Sequence, residues 1–231
     1  MKPVIKPNIV FVISVLLGCL AFANQAVAAG CQTTGCHDQG QKKVTLHPRD
    51  ADCKSCHMPL IENHPKKAVK NFKQAQETMC IACHDEMVDK KNPHEAIKVG
   101  KCTVCHNPHA AARNSYLGNG YTSRPFINYD TEAYALCFSC HKRELLRFAD
   151  TSFATGFRDG EKNLHYLHVN KQKNGRNCNL CHKIHNSSRP KLIAEKVSFG
   201  KWQMPLHFTQ DENGGSCTPG CHKPVKYGRN K

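Results

Sequence analysis

A loop-rich fold with a few short α-helices and minimal sheet, wrapped around something other than its own side chains, is what this sequence predicts. Three observations carry that prediction. The 231 residues include 15 Cys and 15 His, far above ordinary usage. Every Cys after position 30 belongs to a pair whose second member is followed at once by His. Only 39% of residues are apolar, and Lys, Gly and Pro punctuate the chain. Such a composition buries too little apolar surface to offset chain entropy unaided. Disulfides, metals or a cofactor must supply the missing interior.

The first 28 residues are of a different kind. Lys2 and Lys6 precede the apolar run of residues 9–23, IVFVISVLLGCLAFA, and Ala26-Val27-Ala28 fits the small-x-small cleavage rule. This pattern reads as a secretory signal peptide, residues 1–28. The run is shorter than the ~20 apolar residues that a membrane span needs. Leu16-Leu17-Gly18-Cys19 also resembles a lipoprotein cleavage box, the alternative in which Cys19 is acylated. The expected mature chain starts at Ala29, is exported and has no transmembrane span.

From there the sequence repeats itself. Five motifs read CXXCH: Cys53-Cys56-His57, Cys80-Cys83-His84, Cys102-Cys105-His106, Cys137-Cys140-His141 and Cys178-Cys181-His182. Two looser copies stand at the ends, Cys31-Cys36-His37 with four intervening residues and Cys217-Cys221-His222 with three. In chain order they are motifs 1 to 7. A disulfide scaffold gives no reason for a histidine after each second cysteine. Zinc sites built on CXXC pairs do not demand His at that offset either. Covalent haem attachment does. Each thiol adds across one vinyl group, and the next residue then lies beneath the iron as its proximal ligand, which makes CXXCH the haem c signature. The expected cofactors are seven haem c groups, with proximal ligands His37, His57, His84, His106, His141, His182 and His222.

Eight histidines are left over: His47, His64, His94, His109, His165, His168, His185 and His207. Their supply nearly matches the demand of seven irons for a second ligand. The methionines follow no repeating offset, so histidine on both faces is the expectation for every haem. Methionine would raise the potential, so these are expected to be low-potential haems. The expected distal ligands are His47, His64, His94, His109, His165, His168 and His185. The spacing suggests doubled units over residues 31–64, 80–109 and 137–185, followed by a single motif over 217–222. All lie in one domain, residues 29–231. Spacing alone leaves open whether motif 7 takes its second ligand from the His165/His168 pair or from His207.

At these residues the chain resembles the doubled-CXXCH multihaem cytochromes c of metal- and sulfur-reducing bacteria. CTVCHNPHAA and CNLCHKIHNS are similar to the family's closing half-units. NLHYLHVNKQKNGRNC is similar to the spacer before one of them, in which the resemblance implies that both histidines are ligands. MPLHFTQDENGGSCTPGCHKP resembles a common C-terminal signature in which the position of His207 varies, making His207 the spare. The resemblance implies a multihaem cytochrome c fold whose peptide wraps a stacked haem chain. It also implies redox partners: inner-membrane quinol-oxidising cytochromes, periplasmic shuttles, an outer-membrane porin and a surface cytochrome. Relatives of similar length in porin–cytochrome conduits often carry eight haems, so seven, with a four-residue spacer in the first motif, is a departure.

The formal net charge of +15 suggests nucleic acid, but no nucleic-acid motif or aromatic interleaving accompanies it. Propionates answer most of that excess. By simple summation the processed, loaded chain carries about +6 with every iron ferric and about −1 with every iron ferrous. No nucleic-acid partner is expected. PKKAVKNFK and VDKK read as solvated faces.

Short helices are expected over 71–84, 132–148 and 191–197, and a surface loop suited to partner contact over 111–131. Two imidazoles leave an iron no open position, so the expected function is electron transfer, from the inner membrane toward an outer-membrane or extracellular acceptor. The expected location is the periplasm, including the periplasmic face of the outer membrane. Two alternatives stand beside it. One is a subunit of an extracellular cytochrome filament. The other is a nitrite- or hydroxylamine-type multihaem oxidoreductase, which needs an iron with an empty face.

Overall fold

The computed structural model describes residues 55–57, 72, 75–89, 91–109, 117 and 120–231. The leader, motif 1, Cys53, His47 and His64 lie outside the described residues. The chain divides into residues 1–73 and residues 74–231. In the first unit, His57 forms an isolated antiparallel bridge with Phe72, and their rings stack 5.0 Å apart.

Among its described residues the second unit carries six short α-helices: α1 Gln76–Met79, α2 Glu95–Lys98, α3 Ala135–Phe138, α4 Glu144–Arg147, α5 Leu164–Val169 and α6 Cys178–Cys181. The longest, α5, has six residues. Helices this short do not persist alone, so side chains from neighbouring segments must hold them. Asn163 does this for α5. Its side chain is fully buried and its Oδ1 accepts from the Tyr166 N–H at 3.1 Å, capping the helix. Its Nδ2 donates to the carbonyls of Leu145 (3.0 Å) and Phe148 (2.9 Å), which fastens α5 to the end of α4.

Ten strands follow the same chain: β1 Asn92–Pro93, β2 Phe126–Ile127, β3 Arg158–Asp159, β4 Lys162–Asn163, β5 Gly175–Arg176, β6 Asn186–Ser187, β7 Lys196–Phe199, β8 Trp202–Gln210, β9 Gly214–Pro219 and β10 Val225–Gly228. The first six form three two-residue antiparallel pairs: β1 with β6, β2 with β5 and β3 with β4. The last four form one antiparallel sheet in the order β10-β9-β8-β7.

That sheet corrects the expectation of minimal sheet. Its signal lies in MPLHFTQ, where Met204, Leu206 and Phe208 alternate with Pro205, His207 and Thr209. Leu206 is buried while Pro205, His207 and Thr209 are exposed, the two-residue period of a half-buried strand. Pro205 is tolerated because β8 changes partners there. β7 pairs with residues 202–205 and β9 with residues 206–210, so each half of β8 has a neighbour on one side. Gly200 turns the β7–β8 hairpin with φ +58°, as a two-residue hairpin loop requires. At Gly214 a Cβ would lie 1.9 Å from the Tyr227 carbonyl oxygen, so no side chain fits between β9 and β10.

The expected helices survive only in pieces. Residues 71–84 yield α1, and residues 132–148 yield a 3-10 turn, Glu132–Tyr134, followed by α3 and α4. Residues 191–197 form no α-helix, only the end of a 3-10 turn, Pro190–Leu192. Lys191 and Leu192 have φ of 55° and 58°, and Val197 pairs with Met204 across the hairpin. Strand pairing there overrides local propensity. The expected surface loop is pinned over much of its described length. Phe126 and Ile127 pair with Arg176 and Gly175, and Asn177 Nδ2 donates to the carbonyls of Thr122 and Arg124.

Apolar packing is modest. One cluster gathers Leu180, Ile193, Ala194, Val197 and Leu206, with Cys181 and Cys217 against it. The other gathers Tyr134, Leu146 and Val169, with Cys178 against it. Cysteines of motifs 6 and 7 thus stand at the edges of both clusters.

Replacing Asn163 with Ala removes a cap and takes its side-chain donor from two part-buried carbonyls. The cap is worth about 1 kcal/mol and each lost donor about 1 kcal/mol or more. Denaturant unfolding of the loaded protein followed by circular dichroism should show a loss of about 2–4 kcal/mol.

Candidate haem sites

Each standard motif in the second unit is a single helical turn. The histidine N–H donates to the carbonyl of the first cysteine: His84 to Cys80 (3.0 Å), His106 to Cys102 (3.0 Å), His141 to Cys137 (2.9 Å) and His182 to Cys178 (2.9 Å). Residues three apart on one turn are neighbours, so both thiols face the same way and the histidine follows directly below them. Motif 7 is built otherwise. Cys217 lies in β9, and the His222 N–H reaches the Pro219 carbonyl at 3.5 Å. The extra spacer residue therefore leads the chain out of a strand rather than around a helical turn.

Four proximal histidines face a second histidine. Ring centroids are 5.9 Å apart for His106–His185, 6.1 Å for His94–His141, 6.3 Å for His165–His182 and 6.5 Å for His168–His222. A metal–nitrogen bond is about 2 Å and a ring nitrogen lies about 1 Å from its ring centre, so an iron held by two imidazoles separates their centroids by roughly 6 Å. All four pairs have that separation.

The rings are also held by their other nitrogen. Nδ1 of His165 meets Thr155 Oγ1 at 2.9 Å, and Nδ1 of His168 meets the Leu164 carbonyl at 2.6 Å. Nδ1 of His182 meets the Lys191 carbonyl at 2.9 Å, and Nδ1 of His222 meets that of Lys223 at 2.6 Å. A carbonyl acceptor fixes the proton on Nδ1 and leaves Nε2 as the ligating atom, the usual second-shell arrangement of a metal-bound histidine. His94 differs. Its Nδ1 accepts from the Ala96 N–H at 3.2 Å and caps α2.

Burial disfavours the charged form at five of the histidines. It lowers His165 to about 4, with His182 and His168 adding to the effect. Burial likewise lowers His182, His168, His185 and His94. Burial first, then the neighbouring thiols Cys137, Cys140 and Cys102, pushes Cys105 up. Cys137 and Cys178 share a hydrogen bond that pulls Cys137 down to about 7 and holds Cys178 protonated. Burial, then Cys217, raises Cys181 to about 11. These neighbours link motif 4 to motif 5, motif 5 to motif 6 and motif 6 to motif 7. His185, beside His106, also feels His84 of motif 3. Side chains of consecutive motifs from 3 to 7 therefore lie close enough to influence one another.

The other two described histidines outside the motifs lie at the surface. His207 lies on the exposed face of β8, opposite Thr218. His109 is exposed, with its N–H donating to Asn107 Oδ1 at 3.0 Å. The thiols of motifs 4 to 7 are in no disulfide, and among the described residues no three His, Cys, Asp or Glu side chains converge as a metal cluster. Thr155 and the Lys191 carbonyl escaped sequence reasoning, because nothing in their local sequence marks them as partners of an imidazole.

The family model of the doubled CXXCH motif matches residues 47–89 and 94–145. A multiheme cytochrome MtrA of Shewanella baltica (strain OS185) is 30% identical over 116 residues, 46% of this chain and 30% of that relative. Both comparisons support a doubled-CXXCH multihaem cytochrome family for this chain. Its motifs and these two matches imply covalently bound haem c. The chain spans less than a third of the relative it matches. No solved structure matches it. The two matched segments group motif 2 with motif 3 and motif 4 with motif 5, one motif out of phase with the units read from spacing.

Thr155→Val removes the hydrogen bond that orients His165. Loss of such a second-shell partner weakens ligation about 10–100-fold. Resonance Raman spectra should then show one haem gaining high-spin character while the number of attached haems is unchanged.

Proposed function

We propose that this cytochrome relays electrons through seven low-potential haem c groups, each held by two histidines, from the inner membrane or periplasm toward an outer-membrane or extracellular acceptor. The observation that carries this reading is the set of four histidine pairs spaced 5.9–6.5 Å apart.

Haem c, when bound, supplies a one-electron ferric/ferrous couple whose potential follows axial ligand, burial and hydrogen bonding. The chain does the rest. Its thiol pairs would tether each group, on a helical turn in motifs 3 to 6 and from a strand in motif 7. His106, His141, His182 and His222 would each hold an iron from one side, and His185, His94, His165 and His168 from the other. A site filled on both sides has no place for a substrate, which supports electron transfer over an oxidoreductase with an empty face. Carbonyl acceptors at His168, His182 and His222 make those ligands more electron-rich and favour the ferric state, in keeping with low potentials. The closeness of consecutive motifs from 3 to 7 supports a one-dimensional relay.

Partners in this reading are other redox proteins: quinol-oxidising cytochromes of the inner membrane, periplasmic shuttles, an outer-membrane porin and a surface cytochrome. The name of its Shewanella relative, a multiheme cytochrome, fits such a setting. Among the described residues no helix is long and apolar enough to cross a membrane.

The intact mass of the purified protein should exceed the peptide by seven haem masses, with all seven irons low-spin by electron paramagnetic resonance. A stoichiometric high-spin haem would sink the relay reading. Cell fractionation with crosslinking to neighbouring cytochromes or a porin tests the direction of flow.

A further inference from the structure

In motifs 4 to 7 the histidine nearest in sequence is not the one the proximal histidine faces. His109 follows His106 by three residues, and His185 follows His182 by three. A residue so close to the proximal ligand begins on the proximal face, with the porphyrin between it and the far side of the iron. Neither can close its own motif. The second ligand must come from elsewhere in the chain.

We propose that motifs 4 and 5 take their second ligands crosswise: His185, which follows motif 6, closes motif 4 opposite His106, and His94, which precedes motif 4, closes motif 5 opposite His141. The inference rests on the haem reading above and deepens it by assigning ligands to particular irons. The centroid distances, 5.9 Å and 6.1 Å, are one support. The backbone is another. β1 and β6 pair Asn92 with Ser187 and Pro93 with Asn186, immediately beside the two histidines. The His94 N–H donates to the His185 carbonyl at 2.8 Å. Asn186 Nδ2 donates to the carbonyls of Met87 (2.6 Å) and Glu86 (3.0 Å), tying the same strand to the turn after motif 3. Two distal ligands therefore hang from one short ladder and point to two different motifs. The family match over residues 94–145 agrees, since it begins at His94 and runs past His141.

The crossing has a structural consequence. Residues 80–109 and 137–187 cannot be separated once loaded, because each iron of the pair is bound from both segments. At His94, coordination through Nε2 moves the ring proton to Nδ1 and gives up the 3.2 Å cap on Ala96.

The test uses methionine as a marker, because a ferric histidine–methionine haem has a near-infrared charge-transfer band that a bis-histidine haem lacks. His94→Met and His185→Met are each made in the full chain, in a chain without the motif 4 thiols (C102A/C105A) and in one without the motif 5 thiols (C137A/C140A). Intact mass counts the haems in each. The His94→Met band is expected in the full chain and without motif 4, and lost without motif 5. The His185→Met band should behave the other way round. Should methionine fail to reach the iron, His94→Gly and His185→Gly in the same backgrounds report the same pattern through one high-spin haem. A signal that survives loss of its assigned motif, or vanishes with the other one alone, overturns the crosswise assignment. A parent protein without haem would instead overturn the proposed function.

Discussion

The hydrogen bond from the histidine of each of motifs 3 to 6 to the carbonyl of the first cysteine is the constraint on which the rest of the second unit depends. It makes CXXCH a helical turn, and the turn makes a spacing in sequence into a fixed arrangement of two thiols and one imidazole. Once that arrangement is set, the proximal ring has one face toward its own turn and the other toward whatever the chain brings opposite. The remaining architecture is largely a means of bringing histidines there. Asn163 caps the helix that carries His165 and His168, and the β1–β6 ladder presents His94 and His185. The left-handed residues Lys191 and Leu192 turn the chain so that the Lys191 carbonyl meets His182. Short elements suffice because each need position only one or two side chains.

The chemistry was legible because it is local. Motif positions, proximal histidines and the surplus of other histidines all follow from residues within six positions of one another. What pairs with what was not legible, since His94 and His141, or His106 and His185, are separated by long stretches that record no spacing rule. The doubled units suggested by spacing assigned no closing histidine to a particular motif, and the structure sets the closing histidine His185 beside motif 4. Of the candidates left open for motif 7, the structure brings the helix-borne pair, rather than His207, toward it. His168 faces His222 at 6.5 Å, while His207 occupies the outward register of β8.

The sheet was missed for a different reason. Met204, Leu206 and Phe208 alternate as a strand should, but the segment also contains Pro205, His207 and a Gly-Gly step, each of which lowers strand propensity. Tertiary circumstances remove each objection. Pro205 stands where β8 exchanges one neighbour for another, His207 faces outward, and Gly214 admits a backbone approach that a side chain would block. Propensity judged residue by residue therefore pointed the wrong way, while the two-residue period pointed the right way.

Motif 7 explains why a sheet stands at this end of the molecule. Its spacer is one residue longer than that of a helical turn, so the i to i+4 hydrogen bond that closes the other motifs is unavailable to it. Cys217 is instead fixed by strand pairing on both sides, opposite Phe208 in β8 and Val225 in β10. The long hairpin thus does for the last thiol what one backbone hydrogen bond does for the others. Tyr227 packs against Phe157, whose ring also contacts those of His165 and His168. The same sheet that fixes Cys217 is therefore continuous with the aromatic packing around the histidine opposite His222, so both sides of the last site are set by one body of structure.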